Sequence, residues 1–371
     1  MDRLGKNMVQ GERELLRDVM KQYHSKMSPS LAKLAKESEV VMKQFAPSHL
    51  EAEPFGTTKP FEEGKNNHGI YGLERIYEDR AVITPYFECA AYCRYCFKKS
   101  RTLAGEAKRM SDSDIKRAVE FIRHDSRIKT ALITGGDPFL DIELLQKVLD
   151  QVSEIDHIRN IRVGTRNILF SPEMVTDELA DLLASYQQID YQNPRNSRNI
   201  SVGLSINHID ELTPAVVGAY QKLIQRGVAV RGQTVLLKGI NDSVTAIREL
   251  MEAFLCTGIV PYYFLHCMPV VGAKHFRTTV QKGIDIIREL SARSGSYAPH
   301  YVYVTPAGKH RLGPDAKLTY QMLDGKRYIR AVTPYRAEDF LAFSDSNSLP
   351  ELHETDENGY IVSHYLDGEE D

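Results

Sequence analysis

At 371 residues, with 42% hydrophobic and 26% charged residues, the chain has the length and composition of an ordinary enzyme built as one large domain with extensions. Its formal net charge of −3 gives no excess of cations for a polyanion, so nucleic acid is not expected as a partner. No apolar run approaches the ~20 residues that span a bilayer, and the N-terminal sequence lacks the apolar core of a secretory signal, so we expect a cytoplasmic protein without a membrane partner.

Two helical segments and a long linker are predicted before residue 80. The helices are ERELLRDVMKQY at residues 12–23 and SPSLAKLAKESEVVMKQF at residues 28–45. The second begins at Ser28-Pro29, and proline is favoured at the first helical position because its missing N–H would have no partner there. Residues 51–69 are rich in proline, glycine and charge, which indicates irregular structure.

From Arg80 onward, short apolar runs typical of strands alternate with segments of helical period. The clearest helix is predicted from Pro214, just after Thr213, to a stop at Gly227, with its apolar residues on one face. The strand-like runs are AVITPYF (81–87), KTALIT (129–134), IRVG (161–164), ISVGLSI (200–206), VAVRGQTVLL (228–237), PYYFLHC (261–267) and YVYVT (301–305).

This alternation predicts an α/β protein with a parallel sheet, built as a full or partial (β/α) barrel. The expected organisation is an N-terminal helical arm and linker at residues 1–75, the barrel at residues 76–305 and a C-terminal extension at residues 306–371. In the extension the alternation is lost, and the chain ends in an acidic tail, GEED.

The segment ECAAYCRYCFKK places Cys89, Cys93 and Cys96 just after the first predicted barrel strand. In such barrels the carboxyl ends of the strands carry the catalytic groups. Because the five cysteines are an odd number in a chain expected to be intracellular, the clustered thiols are better interpreted as metal ligands than as disulfides. A zinc site would need a fourth ligand from Cys256, Cys267 or a histidine.

The alternative to zinc is a [4Fe–4S] cluster, and the presence of three clustered thiols favours it. Its irons usually take four thiolates, so three thiolates leave one iron open to a small molecule. The spacing Cys-x3-Cys-x2-Cys, with Tyr95 before the last cysteine, resembles the motif of radical S-adenosylmethionine (SAM) enzymes. The resemblance implies that SAM binds the open iron and that its 5′-deoxyadenosyl radical abstracts a hydrogen from the substrate. An electron donor such as flavodoxin or ferredoxin would supply the electron.

The second barrel strand ends in ITGGDPFL. Gly135 and Gly136 would let the backbone approach a ligand closely, and Asp137 is able to pair with an ammonium group. Taken alone, the segment is an ordinary Gly-Asp-Pro turn. Beside the cysteine motif, it resembles the superfamily's loop that holds the methionine amino group of SAM.

Several longer segments resemble the lysine 2,3-aminomutase family across residues 40–310. These segments are GLERIYEDRAVITPYFECAAYCRYC, ITGGDPFL, VGTRN, RGQTVLLKGIND, PYYFLHC and HFRTTVQKGIDII. The resemblance implies a partial (β/α)6-type radical SAM barrel, an amino-acid-like substrate and a homo-oligomer. It also implies pyridoxal 5′-phosphate (PLP), held as a Schiff base to a lysine, which would let an α-amino nitrogen migrate to the β-carbon.

The same resemblance assigns cofactor roles to four residues. Lys309, in TPAGKHRLGP, is the match for the PLP lysine, although this loop is shorter than the family's glycine run and a surface lysine in a turn is the alternative. Arg80 would face PLP or the substrate. Arg166 in VGTRN and Gln233 in RGQTVLL would contact SAM.

Three positions depart from the lysine-specific pattern. In that pattern, two aspartates bind the distal ammonium of lysine. This chain has Met268 and Thr305 at the two corresponding positions. Without the two aspartates, nothing compensates for desolvating that ammonium, so free L-lysine is not the expected substrate. Lys98 replaces an arginine that holds the amino-acid carboxylate, and lysine lacks the two-pronged hydrogen-bonding geometry of arginine.

Three functions therefore remain open. The first is a PLP-dependent radical SAM aminomutase with an altered substrate pocket. The second is a PLP-independent radical SAM enzyme that catalyses epimerisation, dehydrogenation or decarboxylation. The third, a non-enzymatic zinc-binding module, is disfavoured by the long β/α series.

Overall fold

The computed structural model describes residues 8–62, 66–103, 108–295 and 298–369. The last two residues of the acidic tail, and residues 1–7, lie outside this range. The strands are β1 Leu73–Tyr77, β2 Arg80–Ile83, β3 Thr130–Ile133, β4 Asn160–Thr165, β5 Asn199–Ser205, β6 Ala229–Leu236, β7 Val260–His266, β8 His300–Thr305, β9 Gly308–Leu312, β10 Thr319–Leu323, β11 Lys326–Arg336, β12 His353–Thr355 and β13 Tyr360–Leu366.

The helices belong to an N-terminal arm, the barrel and the C-terminal extension. They are α1 Gln10–Gln22, α2 Pro29–Glu37, α3 Glu39–Phe45, α4 Lys99–Thr102, α5 Asp112–His124, α6 Ile142–Ser153, α7 Asn167–Phe170, α8 Asp177–Ser185, α9 Pro214–Gln225, α10 Val244–Cys256, α11 Val280–Arg293 and α12 Ala337–Phe343. Among the described residues, no helix is long and apolar enough to cross a membrane.

Within the described part of the chain, nine strands form one sheet in the order β1 to β9. Strands β2 to β8 are parallel, whereas β1 and β9 pair antiparallel with β2 and β8 at the two edges. The seven parallel strands overlap the seven predicted runs, although β2 ends at Ile83, four residues before the end of the first run. Helices α5, α6, α8, α9, α10 and α11 connect the strands in turn. The prediction of an α/β partial barrel is confirmed.

Helix α9 illustrates how local sequence sets these connections. Its first turn is capped by the Thr213 hydroxyl, which accepts a hydrogen bond from the Val216 amide. It stops before Gly227, whose φ of 78° is accessible to glycine at little cost. Val216, Tyr220 and Leu223 are buried against the sheet, as the predicted apolar stripe requires.

The N-terminal arm differs in one respect from its prediction. The second helix is divided at Ser38, which ends α2 and caps α3 by accepting a hydrogen bond from the Val41 amide. The Ser38 hydroxyl also donates to Asp210, 2.6 Å away. This division bends the arm so that α3 lies against the loop that follows β5.

The C-terminal extension contains strands that the sequence analysis did not predict. Strand β9 continues the barrel sheet, and β10, β11, β13 and β12 form a separate antiparallel sheet in that order. The second sheet packs on the barrel through Tyr365, whose ring stacks on Tyr303 with 4.3 Å between centroids. Arg277 donates to the carbonyl oxygens of Leu366 and Asp367, which fixes the end of β13 beside the barrel.

Candidate active site

A cavity of about 350 Å³ lies inside the barrel and opens at the carboxyl ends of its strands. Its walls include nearly all the residues singled out from the sequence, although their roles remain predictions. These residues are Arg80, Cys89, Cys93, Tyr95, Cys96, Lys98, Gly135, Gly136, Asp137, Arg166, Gln233, Met268 and Lys309. Thr305 is not among the lining residues, and its hydroxyl donates to the Gly308 carbonyl in the β8–β9 turn.

The cysteine loop follows β2 and is held by short-range turns. The Cys96 amide donates to the Cys93 carbonyl at 3.2 Å, and the Lys99 amide donates to the Cys96 carbonyl at 3.0 Å. All three loop cysteines are free thiols. Burial raises the pKa of Cys89, and burial together with the neighbouring Cys93 raises the pKa of Cys96 to about 12. The Cys89 and Cys96 thiols therefore need a bound cation to become thiolates near neutral pH.

The three thiols suit an iron–sulfur cluster by donor type and by position. All three come from one loop and line one cavity, and none of them forms a disulfide. Among the described residues, no three cysteine, histidine or carboxylate side chains already converge as metal ligands do. Binding would therefore require the thiols to turn toward a common centre.

Arg166 connects the cysteine loop to the barrel and the arm. One terminal nitrogen, Nη1, lies 2.9 Å from Cys93 Sγ and also donates to the Tyr95 hydroxyl. The other, Nη2, donates to Gln44 Oε1 at 2.7 Å and to both carboxylate oxygens of Glu211 at 3.1 Å. Both terminal nitrogens thus bind protein groups, and Nε is the atom of Arg166 that lacks a partner among the described residues.

The Gly-Gly-Asp segment lies directly against the cysteine loop. The Gly136 and Asp137 amides donate to the carbonyls of Tyr86 and Glu88, each at 2.8 Å. A Cβ atom on Gly136 would sit 2.0 Å from the Glu88 carbonyl oxygen, and Gly135 has a φ of 131°. Glycine is required at both positions because the two loops are in backbone contact.

Asp137 is engaged by the protein, and its pairing with an ammonium group stays a prediction. Its carboxylate accepts hydrogen bonds from the Thr165 hydroxyl and the Arg166 amide, both at 2.6 Å, and from the Phe139 amide at 3.1 Å. Burial raises the pKa of this carboxyl to about 6 despite these donors. Asp137 therefore fixes the ends of β3 and β4 relative to each other.

The lower part of the cavity carries arginines that have no carboxylate partner among the described residues. Arg162 is 8% exposed, and its Nε and Nη2 atoms lack hydrogen-bond partners. Arg80, on the edge of the same cavity, has an unpartnered Nε. A Cβ atom on Gly203 would lie within 3.0 Å of Arg162 and Gln233 side-chain nitrogens, so the missing side chain makes room for both. Buried unpaired guanidinium groups favour an anionic ligand.

Sequence reasoning missed Arg162, although a local signal was present. Arg162 and Gly164 alternate with the buried apolar residues Ile161 and Val163 along β4. A charged residue inside a strand that is otherwise buried indicates a side chain that faces an internal cavity.

Lys309 lies on β9, opposite Val304 of β8. Burial and the nearby Arg80 and Arg162 lower the pKa of its amine to about 7. The Nζ atom is 4.9 Å from the ring centroid of Tyr263, and no carboxylate among the described residues acts on it. Lys309 also borders a second cavity of about 670 Å³, lined by Tyr77, Arg80, Tyr263, Lys309, His310, Arg311 and residues 332–335.

Among the described residues, the cavity offers no free carboxylate for a distal ammonium group. Of its two acidic lining residues, Asp137 is engaged as described above. The other, Glu74, lies 3.8 Å from Lys98 Nζ and 3.5 Å from Arg101 Nη1. Met268 packs in an apolar cluster with Tyr95 and contributes no charge.

A partial parallel barrel with a three-cysteine loop at its carboxyl edge defines the class of radical SAM enzymes. In agreement, residues 83–252 match the family model of the Radical SAM superfamily.

Curated relatives give the family. The chain is 36% identical over 251 residues, 67% of its length, to a protein of Aquifex aeolicus provisionally described as an L-lysine 2,3-aminomutase. It is 32% identical over 69% of its length to the L-lysine 2,3-aminomutase of Methanococcus maripaludis. It is 30% identical to the glutamate 2,3-aminomutase of Clostridioides difficile, over 81% of this chain and 70% of that protein.

The chain belongs to the lysine 2,3-aminomutase family of radical SAM enzymes. It spans 65% of the Aquifex relative and 57% of the Methanococcus relative, so these alignments leave part of each relative unmatched.

Proposed function

We propose that this enzyme is a radical SAM 2,3-aminomutase that uses PLP at Lys309 and acts on an amino acid other than free L-lysine. The observation that supports PLP most directly is Lys309, a partly buried lysine whose pKa is lowered to about 7 and which borders the cavity of the cysteine loop. A lysine amine must be neutral to attack a carbonyl, and desolvation beside cations is a known means of keeping it neutral.

The cysteine loop would hold the [4Fe–4S] cluster through Cys89, Cys93 and Cys96, with SAM at the open iron. When bound, these groups supply the electron transfer that cleaves SAM and yields the hydrogen-abstracting 5′-deoxyadenosyl radical. Gly135 and Gly136 bring backbone groups up to this site. An electron donor such as flavodoxin or ferredoxin, and a homo-oligomeric assembly, remain predictions.

PLP, when bound, supplies an electron-delocalising ring that allows an amino nitrogen to move between adjacent carbons. The chain's own residues would anchor and orient it. Lys309 provides the amine, and Arg80 and Arg162 provide cations for its phosphate or for a substrate carboxylate. Tyr77 and Tyr263 flank Nζ at 5.3 and 4.9 Å and exclude water from it.

The substrate proposal follows from the charge inside the cavity. Arg80, Arg162 and Lys309 all lack carboxylate partners among the described residues, whereas Glu74 and Asp137 are engaged. A cationic side chain such as that of lysine would be repelled, and a neutral or anionic one would be accepted. L-Glutamate is the first candidate, since one relative is a glutamate 2,3-aminomutase.

The experiment that tests this function starts from protein incubated with PLP. The wild type should develop a visible absorption band that borohydride removes, and Lys309→Ala should not, because the alanine variant lacks the amine. Lys317→Ala is the matched control, since Lys317 is exposed on the same extension. Under anaerobic conditions with SAM and a reductant, the wild type and the control should convert an acidic or neutral amino acid into its 3-amino isomer.

One result would contradict the PLP proposal, and another would contradict the substrate proposal. A wild-type protein that forms no such band, yet cleaves SAM, would exclude the PLP-dependent proposal and favour the PLP-independent radical enzyme. Conversion of free L-lysine at a rate equal to that of L-glutamate would refute the substrate proposal alone.

Attachment of PLP should depend on pH with a midpoint of about 7, the pKa of Lys309. Below that pH the amine is protonated, so the rate of band formation should fall by about tenfold per pH unit. Arg80→Gln removes a cation that lowers this pKa, so its midpoint should move to higher pH. Arg159→Gln, a change at a partly exposed residue just before β4, should leave the midpoint in place. A wild-type midpoint near that of an ordinary lysine would contradict the prediction.

A further inference from the structure

The N-terminal arm is in direct backbone contact with the cysteine loop. The Tyr92 amide donates to the Lys26 carbonyl at 3.0 Å, and the Arg94 amide donates to the Gln44 carbonyl at 2.8 Å. The arm therefore provides two fixed points, one on each side of Cys93, although it lies outside the barrel in sequence.

Arg94, between Cys93 and Cys96, is completely buried and forms an ion pair with Glu51 of the arm. Its Nε donates to Glu51 Oε1 at 2.9 Å, and its Nη2 donates to Glu51 Oε2 at 2.6 Å. This is the two-pronged geometry in which arginine–carboxylate pairs are strongest and best oriented. The remaining terminal nitrogen donates to the His24 carbonyl at 3.0 Å.

Lys99, at the other end of the loop, also binds Glu51 and completes this network of buried charges. Its ammonium pairs with Glu51 Oε2 and donates to the Arg94 carbonyl at 3.1 Å. Glu51 is 2% exposed and Lys99 is 1% exposed, so the carboxylate is shared by two buried cations. Glu51 thus links both ends of the segment that carries Cys93 and Cys96.

We propose that Glu51 is a positioning residue of the iron–sulfur site: it holds Arg94 and Lys99 so that the cysteine loop keeps the conformation a cluster needs. The inference rests on the assignment of this loop as the cluster site. It extends that site to the N-terminal arm, which the motif itself does not include.

Replacing Glu51 by a neutral residue is expected to destabilise the loop. Without its charge, Arg94 and Lys99 would be two buried cations with no carboxylate partner among the described residues. Uncompensated buried charges are relieved by local movement or by hydration, and the loop that carries both cations is the part able to move.

The first measurement uses cluster-free protein and the reaction of each cysteine with iodoacetamide, followed by mass spectrometry. In Glu51→Gln, Cys89, Cys93 and Cys96 should be alkylated about tenfold faster than in the wild type, a change of the size seen when groups supporting metal ligands are removed. The exposed Cys256 and the buried Cys267 serve as internal references and should not change. Glu51→Asp, which keeps the charge, should restore most of the protection.

Glu53→Gln is the matched control because Glu53 is two residues away, exposed, and paired with Lys274 on the surface. It should leave all rates unchanged. After reconstitution, Glu51→Gln should also release iron to a chelator about tenfold faster than Glu53→Gln.

Two results would overturn the inference. One is unchanged alkylation of the loop thiols in Glu51→Gln. The other is acceleration that includes Cys267, which would show that Glu51 supports the fold as a whole. The alkylation measurement needs neither SAM nor PLP, so it stands even if the proposed aminomutase activity is absent.

Discussion

Cys96→Ala is expected to abolish both cluster assembly and the reductive cleavage of SAM. The remaining two thiols cannot hold three irons of a [4Fe–4S] cluster, so the reconstituted variant should contain background iron, against about four irons per chain in the wild type. Iron and sulfide analysis and the yield of 5′-deoxyadenosine measure the two effects.

Cys256→Ala is the control for this experiment, since Cys256 is exposed at the end of α10. It should retain full iron content and full cleavage of SAM. Wild-type protein that binds zinc without sulfide, or a Cys96→Ala variant that still cleaves SAM, would contradict the cluster assignment.

Gly136→Ala is expected to be among the most damaging single substitutions in the chain. The added Cβ would lie 2.0 Å from the Glu88 carbonyl oxygen and 2.6 Å from the Glu88 amide nitrogen, so backbone must move. We expect a loss of about 3 kcal/mol in the free energy of unfolding, together with loss of the cluster, because the displaced segment leads into Cys89. Denaturant unfolding and iron content after reconstitution test the two parts.

Gly218→Ala is the matched substitution, because Gly218 lies within α9 and no atom is within 4 Å of its added Cβ. It should stabilise the protein by about 0.5–1 kcal/mol, the ordinary helical preference for alanine over glycine. Equal stability changes in the two variants would show that the contact between the Gly136 and Glu88 segments is not tight.

The barrel could be predicted from sequence because its signals are local. Each parallel strand is a short apolar run, and each connecting helix repeats apolar residues along one face. The cysteine loop is equally local, since Cys89, Cys93 and Cys96 lie within eight residues. Edge strands β1 and β9 were missed because a short antiparallel edge strand carries no regular neighbouring helix to mark it.

The supporting groups of the site could not be predicted because they are distant in sequence. Gln44 and Glu211 meet across 167 residues, and Glu51 meets Arg94 across 43. In the sequence, Gln44 looks like an ordinary polar residue of a surface helix and Glu51 like one of the irregular linker, and only the folded chain buries them. The substrate role of Thr305 stays a prediction: the family resemblance places this residue at the substrate, and in the fold its hydroxyl donates to the Gly308 carbonyl in the β8–β9 turn.

Lys309 borders two cavities, the inner one with the cysteine loop and the wider one beneath β11. Under the proposed function, an aldehyde cofactor that enters through the wider cavity would reach the Lys309 amine without passing the cysteine loop. The organic cofactor and the iron–sulfur cluster could then be loaded and replaced independently of each other.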